Sequence, residues 1–479
     1  MPQVGDADPR TRALHVNNGI PASGLYGPAL LDSDGSRVPW RLAPEPFPML
    51  PSSIARLEEL GRHLLAFYRA ANQLYLASMR GNQPAWITGY LDHGKPDHVV
   101  ELGRLRRFRS AVPVVIRPDL MTVGPGQFVA TELDSVPGGI GLLDSLMLRY
   151  RELGFNLAGD GSGIVSTLAR ALIAQAGRAN PFVAVVVSDE SESYRSEMTW
   201  VGERLNQFGV RAITVHPRQL DLSGGRIVVN FDGRLEEVDL IYRFFELHDL
   251  KNVPNSDLII HAMKKRRVVV TPPFKAQLEE KLLYALFHHP ELEQFWAKEL
   301  SAESLDVLRE ALPATWVMDP THIPAQAAIF PPLVTAGRPI RRWDDLVGIT
   351  QRERELVIKP SGFSELSWGS RGVTVGHDVN AKAWSEAVGQ ALAGFQHTPY
   401  VLQHYRQSRR VGCSYYDFES DSVLEFDART RISPYYFVIG DTTELAGVLV
   451  TACPSSSKVL HGMTDAVMVP AMADAGAEI

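Results

Sequence analysis

Two stretches in the first third of the chain decide the fold, VPVVIRPD at residues 112–119 and FVATELD at residues 128–134. Each begins as a run of β-branched, aromatic and other apolar residues, so the sequence predicts one strand over 112–117 and a second over 128–133. The segment 123–127 between them carries Gly124 and Gly126, which are typical of turns. The sequence therefore predicts a hairpin.

Four charged residues stand at the end of this hairpin. Arg117 and Asp119 are two positions apart, as are Glu132 and Asp134. Residues two apart on a strand point to the same face, so we expect the four side chains to meet. Three carboxylates in one place repel unless a cation lies between them. Mg²⁺ is held by such oxygen ligands together with phosphate oxygens, and the arginine would face an anionic oxygen. A solvated, charged hairpin face is the alternative.

The sequence on either side of the hairpin predicts a mixed architecture. Apolar residues at three- and four-residue spacing predict a helix over residues 52–79 upstream. Downstream, a continuous apolar strand at 182–187 is followed by an amphipathic helix at 197–208 and a strand at 210–216. This order indicates a parallel sheet, and residues 181–265 fit a small Rossmann-like unit. Because no G-x-G-x-x-G opens its first helix, a dinucleotide site is not expected there.

The last part of the chain mixes helices and strands, which favours an α+β domain with an antiparallel sheet. A buried strand predicted over 355–359 ends in Lys359 and leads into a loop rich in Gly and Ser at 361–373. Backbone N–H groups of such a loop can surround phosphates, with the lysine neutralising them. No helix follows and the spacing is not that of a P-loop. A plain hairpin with an outward lysine is the alternative interpretation.

Two weaker signals lie in the same region. Residues 400–405, which include Gln403, predict a short apolar strand that could offer backbone groups to a purine edge, although taken alone the pattern favours a core strand. Lys281 lies inside a predicted helix over 276–286, where most lysines are solvated.

Composition narrows the range of functions. With 479 residues, two or three domains are expected. The net charge of −7, from 48 basic and 55 acidic residues, disfavours nonspecific nucleic-acid binding but allows a local anion site. No apolar run approaches the roughly 18 residues of a membrane span, and residues 1–14 lack the pattern of a secretory signal. Cys413 and Cys453 form no disulfide framework. We therefore expect a cytoplasmic protein without a membrane partner, and homo-oligomer formation stays open.

Taken in order, these motifs resemble those of the circularly permuted ATP-grasp family, which includes glutathionylspermidine synthase. An Arg-x-Asp strand (Arg117, Asp119) and a Glu-x-Asn strand precede a Rossmann-like pre-ATP-grasp domain in that family, and a Lys-Pro strand with its glycine loop follows. This chain has Glu132 and, where the family often has Asn, Asp134. The resemblance covers residues 100–470 and implies a mixed α+β and α/β fold, a circularly permuted ATP-grasp with an inserted Rossmann-like domain.

The resemblance also implies a domain plan and a site. Residues 1–180 would form an arm, helices and the metal-binding hairpin, 181–265 the pre-ATP-grasp domain, and 266–479 the nucleotide-binding lobes. Arg117 would be catalytic, and Asp119, Glu132 and Asp134 would bind Mg²⁺. The implied ATP-binding residues are Lys281, Lys359, Ser361, Gly362, Gly369, Arg371, Gly372 and Gln403.

The implied activity is that of an ATP- and Mg²⁺-dependent ligase. It would join a small-molecule carboxylate to an amine through an acyl phosphate, forming an amide or peptide bond. The alternative is a catalytically silent relative that binds nucleotide or acts as a scaffold. Residues 1–100 contain no Cys that could serve a fused amidase, and the sequence names neither the acid nor the amine.

Overall fold

The computed structural model of the chain describes residues 7–20, 25, 41–321, 329, 331–335, 337–367, 371–457, 460 and 466–479. The α-helices of this part are α1 (Pro9–Asn18), α2 (Pro51–Met79), α3 (Ala85–Asp92), α4 (Asp97–Arg104), α5 (Ile140–Glu152), α6 (Ile164–Ala176), α7 (Arg195–Leu205), α8 (Ser256–Lys264), α9 (Leu282–Phe287), α10 (Glu293–Glu299), α11 (Ala302–Ala311) and α12 (Ala381–Ala393).

The strands are β1 (Phe47–Met49), β2 (Val115–Gly124), β3 (Gln127–Asp134), β4 (Phe182–Val187), β5 (Arg211–Val215), β6 (Asp221–Ser223), β7 (Arg226–Phe231), β8 (Arg234–Glu237), β9 (Leu240–Phe244), β10 (Val269–Thr271), β11 (Thr315–Val317), β12 (Val334–Thr335), β13 (Arg338–Pro339), β14 (Leu356–Pro360), β15 (Thr374–Val375), β16 (Tyr400–His404), β17 (Arg410–Asp417), β18 (Ser422–Ile439), β19 (Thr442–Pro454) and β20 (Val467–Ala473).

The predicted hairpin is confirmed and belongs to the largest sheet. Strands β2 and β3 pair antiparallel, and the turn between them includes Gly126 at a φ of +63°, a conformation that glycine adopts without steric cost. The sheet order is β1-β20-β19-β18-β2-β3, with β17 also paired to β18. Ile432 of β18 lies opposite Leu120 of β2, so strands from the two ends of the chain share one sheet.

The predicted parallel sheet is also confirmed. Its order is β10-β9-β4-β5, and every residue of β4 is buried, as expected for a strand covered on both faces. Strand β10 lies beyond residue 265, so the sheet extends past the segment from which it was inferred. An antiparallel sheet, β6-β7-β8, fills the interval before β9.

A third sheet, β11-β16-β14-β15, carries the predicted lysine strand. Leu356, Ile358 and Leu402 from this sheet pack into a core with Trp384 of α12. Lys359 belongs to β14 and lies opposite Val401 of the neighbouring strand β16. The last part of the chain thus has the antiparallel pairing expected from its sequence.

Helix α2 matches the predicted helix over 52–79, starting one residue earlier with Pro51 at its first position, where a missing backbone N–H has no cost. By contrast, the predicted helix over 276–286 is wrong. A short 3₁₀ turn at Ala276–Leu278 is followed by a break, and α9 starts only at Leu282. Lys281 is therefore the residue that caps α9, on a connection whose side chains turn into the protein interior.

In the part of the chain that the structure describes, no helix is long and apolar enough to cross a membrane.

Candidate functional site

The four charged residues of the hairpin meet as predicted. Arg117 lies opposite Asp134, and Asp119 lies opposite Glu132 in the β2–β3 register. The Arg117 Nη2 atom is 3.0 Å from Asp134 Oδ2, and its Nε is 3.3 Å from Asp119 Oδ1. Arg117 Nη1 also donates to the Gly138 carbonyl at 3.4 Å, which ties the hairpin to the loop before α5.

Asp119 is enclosed by cationic and hydroxyl donors from two strands. Besides Arg117, it contacts Arg431 of β18, with Nη1 3.3 Å from Oδ2, and accepts a hydrogen bond from Ser433 Oγ at 3.0 Å. Burial alone would raise the pKa of Asp119, but the two guanidinium groups outweigh it and the pKa is lowered. The carboxylate is therefore held in its charged form.

Asp134 has the opposite electrostatic balance. It accepts a hydrogen bond from the Val136 backbone N–H at 2.8 Å and faces Arg117. Burial raises its pKa, Arg117 opposes that rise, and the neighbouring charges of Glu132 and Asp119 add to it. The negative charge of Asp134 is therefore less fully compensated by neighbouring cations than the negative charge of Asp119.

The two predicted nucleotide lysines both contact β3. Lys281 Nζ is 2.8 Å from Glu132 Oε1. Lys359 Nζ donates to the Thr131 carbonyl at 3.0 Å across 228 positions of sequence, so the lysine strand folds against the hairpin. Lys359 also donates to Gln403 Oε1 at 2.9 Å, so the predicted Gln403 lies in the same cluster.

The lysines differ in how their charge is balanced. Burial would lower the pKa of Lys281, but Glu132 outweighs it and raises the pKa. Lys359 is 7% exposed, and burial lowers its pKa to about 8. Glu132 and Asp119 oppose that fall, and Lys281 adds to it. Among the residues that the structure describes, no carboxylate forms an ion pair with the Lys359 ammonium, so its buried charge is incompletely balanced.

Glu280, which sequence reasoning missed, fixes the start of the glycine-rich loop. Its carboxylate accepts hydrogen bonds from Ser361 Oγ and from the Gly362 N–H, the latter at 3.1 Å, and forms a buried ion pair with Lys95. A Cβ atom on Gly362 would lie 1.7 Å from the Glu279 carbonyl oxygen, so only glycine allows this approach. The predicted Ser361 and Gly362 are thus held beside Lys281.

The remaining predicted loop residues lie further along. The Gly372 N–H donates to the Leu366 carbonyl at 3.0 Å, closing the loop. Arg371 lines a cavity described below. Gly369 lies outside the described residues.

Two cavities border these groups, and a third lies at the other end of β3. A cavity of about 940 Å³ lies between the hairpin turn and the connection after β16, lined among others by Phe128, Val129, His288 and residues 405–407. A cavity of about 380 Å³ lies between the loop before α5 and the glycine-rich loop. Beside Glu132 and Lys281 the free volume is about 10 Å³, room for one water molecule. In this conformation the space beside Lys281 is therefore too small to admit a phosphate group.

The predicted magnesium ligands fit the ion unequally. Among the described residues, no three His, Cys, Asp or Glu side chains are arranged to hold a metal ion. The side chains of Glu132 and Asp134 are 36% and 28% exposed and could serve as the one or two carboxylates that Mg²⁺ combines with phosphate oxygens. Asp119 is 10% exposed and contacts three donors, so it fits poorly. The positive charge expected from a metal ion beside these carboxylates is supplied here by the side chains of Arg117, Arg431 and Lys281.

Arg431 and Ser433 are the other residues that sequence reasoning missed. They lie two apart on β18, so both face Asp119. The alternation Arg429, Arg431, Ser433 was the available signal, but nothing in the sequence pairs it with a strand about 300 positions upstream.

No protein-family model matches the sequence, and no curated protein matches it. Among solved structures, a glutathione synthetase-like effector from Globodera pallida, in its apo form, is 12% identical over 99% of both chains with a TM-score of 0.58. A putative gamma-glutamylcysteine synthetase from Methylobacillus flagellatus KT is 11% identical over 89% of both chains, with a TM-score of 0.42. The first similarity, which extends over almost the whole length of both chains, shows that this chain has the overall fold of a glutathione synthetase-like protein.

Proposed function

We propose that this protein is an ATP- and Mg²⁺-dependent ligase that joins a carboxylate to an amine through an acyl phosphate. One observation carries the proposal. Lys281 contacts the Glu132 side chain of β3, Lys359 contacts the adjacent Thr131 carbonyl, and Arg117 lies on the neighbouring strand β2. These residues come from three distant parts of the sequence, so their meeting is a property of the fold. The similarity in fold to a glutathione synthetase-like protein agrees with it.

We further propose that the chain is a circularly permuted ATP-grasp protein with an inserted Rossmann-like domain. Supporting this order, β2 and β3 complete a sheet whose other strands are mostly C-terminal, while the parallel sheet β10-β9-β4-β5 lies between them in sequence. The lysine strand β14 then packs on the hairpin through Lys359.

ATP would bind with its base in the cavity of about 940 Å³ and its phosphates toward the lysines. This volume lies within the range of about 300–1,000 Å³ usual for small-molecule sites. The same strand, β3, lines this cavity at Phe128 and Val129 and approaches Lys281 with Glu132. The free volume of about 10 Å³ at that end means that β3 and the lysines must separate for phosphates to enter.

The charged residues would act mainly by neutralising phosphate oxygens. Lys281 and Lys359 would exchange their present partners for phosphate, and the Ser361 hydroxyl and Gly362 N–H would likewise exchange the Glu280 carboxylate for phosphate oxygens. Glu132 and Asp134 would hold Mg²⁺, which supplies charge neutralisation on the triphosphate. Arg117 would stabilise the anionic oxygen of the reacting carboxylate.

The reaction has two balanced steps. A carboxylate oxygen of the acid forms a bond to the γ-phosphorus, and the bond to ADP breaks, leaving an acyl phosphate. The amine nitrogen then bonds to the acyl carbon, inorganic phosphate leaves, and the nitrogen loses one proton to solvent. The cavity of about 380 Å³ beside Gly138, whose carbonyl Arg117 contacts, is where we expect the acid or amine.

A catalytically silent nucleotide-binding or scaffold protein is the second candidate. The observation that favours it is the closed state of the site, in which Lys281, Glu132, Asp134 and Asp119 all have partners within the protein.

Phosphate release separates the two candidates. The protein is incubated with Mg²⁺·ATP and a matrix of carboxylic acids and amines, and phosphate is measured against single-substrate controls. The ligase predicts release that depends on both an acid and an amine. Protection against thermal unfolding by Mg²⁺·ATP, without turnover across the matrix, would favour the silent relative.

A further inference from the structure

Asp119 is surrounded differently from the other carboxylates of the site. Its Oδ1 atom contacts Arg117 Nε at 3.3 Å and accepts from Ser433 Oγ at 3.0 Å, and its Oδ2 atom contacts Arg431 Nη1 at 3.3 Å. A carboxylate shared by two guanidinium groups fixes both of them. For Asp119 to bind a metal ion directly, at least one of these contacts would have to break in a buried place.

Two like charges held by one carboxylate repel each other and leave donors unused. The Nε atoms of both Arg117 and Arg431 are buried and donate no hydrogen bond, although Arg117 Nε is in ion-pair contact with Asp119 Oδ1 at 3.3 Å. A buried donor without a partner is costly, so such groups call for an explanation. An oxyanion bound by both side chains would offset the repulsion and give their donors acceptors.

The cavity of about 380 Å³ is lined by a neighbour of Arg117, the Gly138 loop, although neither Arg117 nor Arg431 lines it directly. Arg117 contacts the carbonyl of Gly138, which lines this cavity together with Tyr194. Burial raises the pKa of Tyr194, and the charges of Arg117 and Arg431 oppose that rise, so both charges act on a residue of this cavity's wall. The Arg431 side chain is 21% exposed, so a bound molecule can reach it.

We propose that Arg431 forms, with Arg117, a two-guanidinium site for an oxyanion, and that Asp119 positions the two arginines and is not a metal ligand. This assignment rests on the proposed function, in which the oxyanion is the carboxylate of the acid substrate or the phosphate group that this carboxylate acquires. Magnesium is then left to Glu132 and Asp134, which are more exposed. Arg431 is a substrate-binding residue, and Asp119 acts through it.

Two titrations on folded protein test the proposal. Inorganic phosphate binding is measured by calorimetry at low salt, and Mn²⁺ binding is measured by electron paramagnetic resonance in the presence of a nonhydrolysable ATP analogue. The variants are Arg431→Met, Asp119→Asn and Glu132→Gln. Arg410→Met is the matched control, since it removes an exposed arginine of the neighbouring strand β17 that pairs with Asp427.

We expect Arg431→Met to weaken phosphate binding by about tenfold or more, the scale of one lost hydrogen bond to a charged group. Asp119→Asn should weaken phosphate binding while leaving Mn²⁺ affinity within about twofold, whereas Glu132→Gln weakens Mn²⁺ binding. The control should change neither affinity. The proposal is overturned if wild-type protein binds no phosphate, if Arg431→Met binds it unchanged, or if Asp119→Asn loses as much Mn²⁺ affinity as Glu132→Gln.

Two further variants keep the test decisive where Asp119→Asn does not fold. Asp119→Glu keeps the charge but shifts it by one methylene, so phosphate affinity should fall with Mn²⁺ affinity retained. Arg431→Lys keeps a cation without the planar fork and should restore part of the binding lost in Arg431→Met. If wild-type protein fails to bind Mn²⁺ with the ATP analogue, the proposed function is contradicted, while phosphate titration of Arg431→Met still decides on the arginine pair.

Discussion

Replacement of Lys359 by Met should make the ligand-free protein more stable and weaken nucleotide binding. Lys359 is 7% exposed, and the contacts of its ammonium are the Thr131 carbonyl and Gln403 Oε1. Its pKa falls from an ordinary 10.5 to about 8. At about 1.4 kcal/mol per unit, this fall corresponds to roughly 3 kcal/mol of unfavourable ionisation in the folded state at neutral pH. Methionine fills a similar space without the charge.

The lost hydrogen bonds reduce this gain. Each is worth about 1 kcal/mol net, so we expect the free energy of unfolding of Lys359→Met to exceed that of wild type by about 1 kcal/mol at pH 7. The difference should also depend on pH. Because the folded-state pKa is the lower one, the penalty is complete below pH 8 and disappears as pH rises toward 10.5. The advantage of the variant should therefore shrink over this interval.

Lys281→Met is the matched control, because Lys281 is a partly buried lysine of the same cluster with a carboxylate partner, Glu132. Removing it leaves that carboxylate unpaired, so stability should fall by about 1–3 kcal/mol, less than for a fully buried pair because Glu132 is 36% exposed. Urea unfolding from pH 7 to 10 measures both variants. A Lys359→Met protein that is less stable than wild type by as much as Lys281→Met would refute the idea that the Lys359 charge is held at a cost.

Three other predictions concern the same site. Glu132→Gln should lower ATP turnover by about 10²–10³, the usual effect of losing one preorganised electrostatic partner, and phosphate release measures it. Gly362→Ala should lower stability by about 1–3 kcal/mol, because a Cβ would meet the Glu279 carbonyl, whereas Gly389→Ala in α12, with open space around it, should not. Glu280→Gln should weaken the hold on Ser361 and Gly362, so backbone amides of residues 361–367 should exchange hydrogen faster, with amides of β4 as the internal reference.

The strand pairings closest to the sequence signals were predictable. The two-residue spacing of Arg117, Asp119, Glu132 and Asp134 together with a glycine turn specifies a hairpin with one charged face, because side chains on a strand alternate. A helix over 52–79 and the buried strand β4 follow from periodicity for similar reasons.

Features that depend on distant contacts were not predictable. The predicted helix over 276–286 fails because Glu279 and Glu280 turn inward to Arg243 and Lys95, which breaks the helix before Lys281. The first residues of β18 carry no strand signal, because Val423, Leu424 and Glu425 are exposed in succession without the alternation of a half-buried strand.

The charge balance at the site was missed for the same reason. Three carboxylates in sequence imply a cation, but only the fold shows that Arg431 and Lys281 occupy that role in the closed conformation. The pairing of Asp119 with Ser433 joins residues 314 positions apart, and no local pattern encodes it.

The most direct test is calorimetric titration of a nonhydrolysable ATP analogue with Mg²⁺ into wild type, Lys359→Met and the exposed-surface control Arg410→Met. We predict one nucleotide bound per chain by wild type and by the control, with affinity at least about tenfold weaker for Lys359→Met, the equivalent of about 1.4 kcal/mol. Failure of the wild-type protein to bind the analogue, or equal binding by all three proteins, would contradict nucleotide binding at the Lys281 and Lys359 cluster.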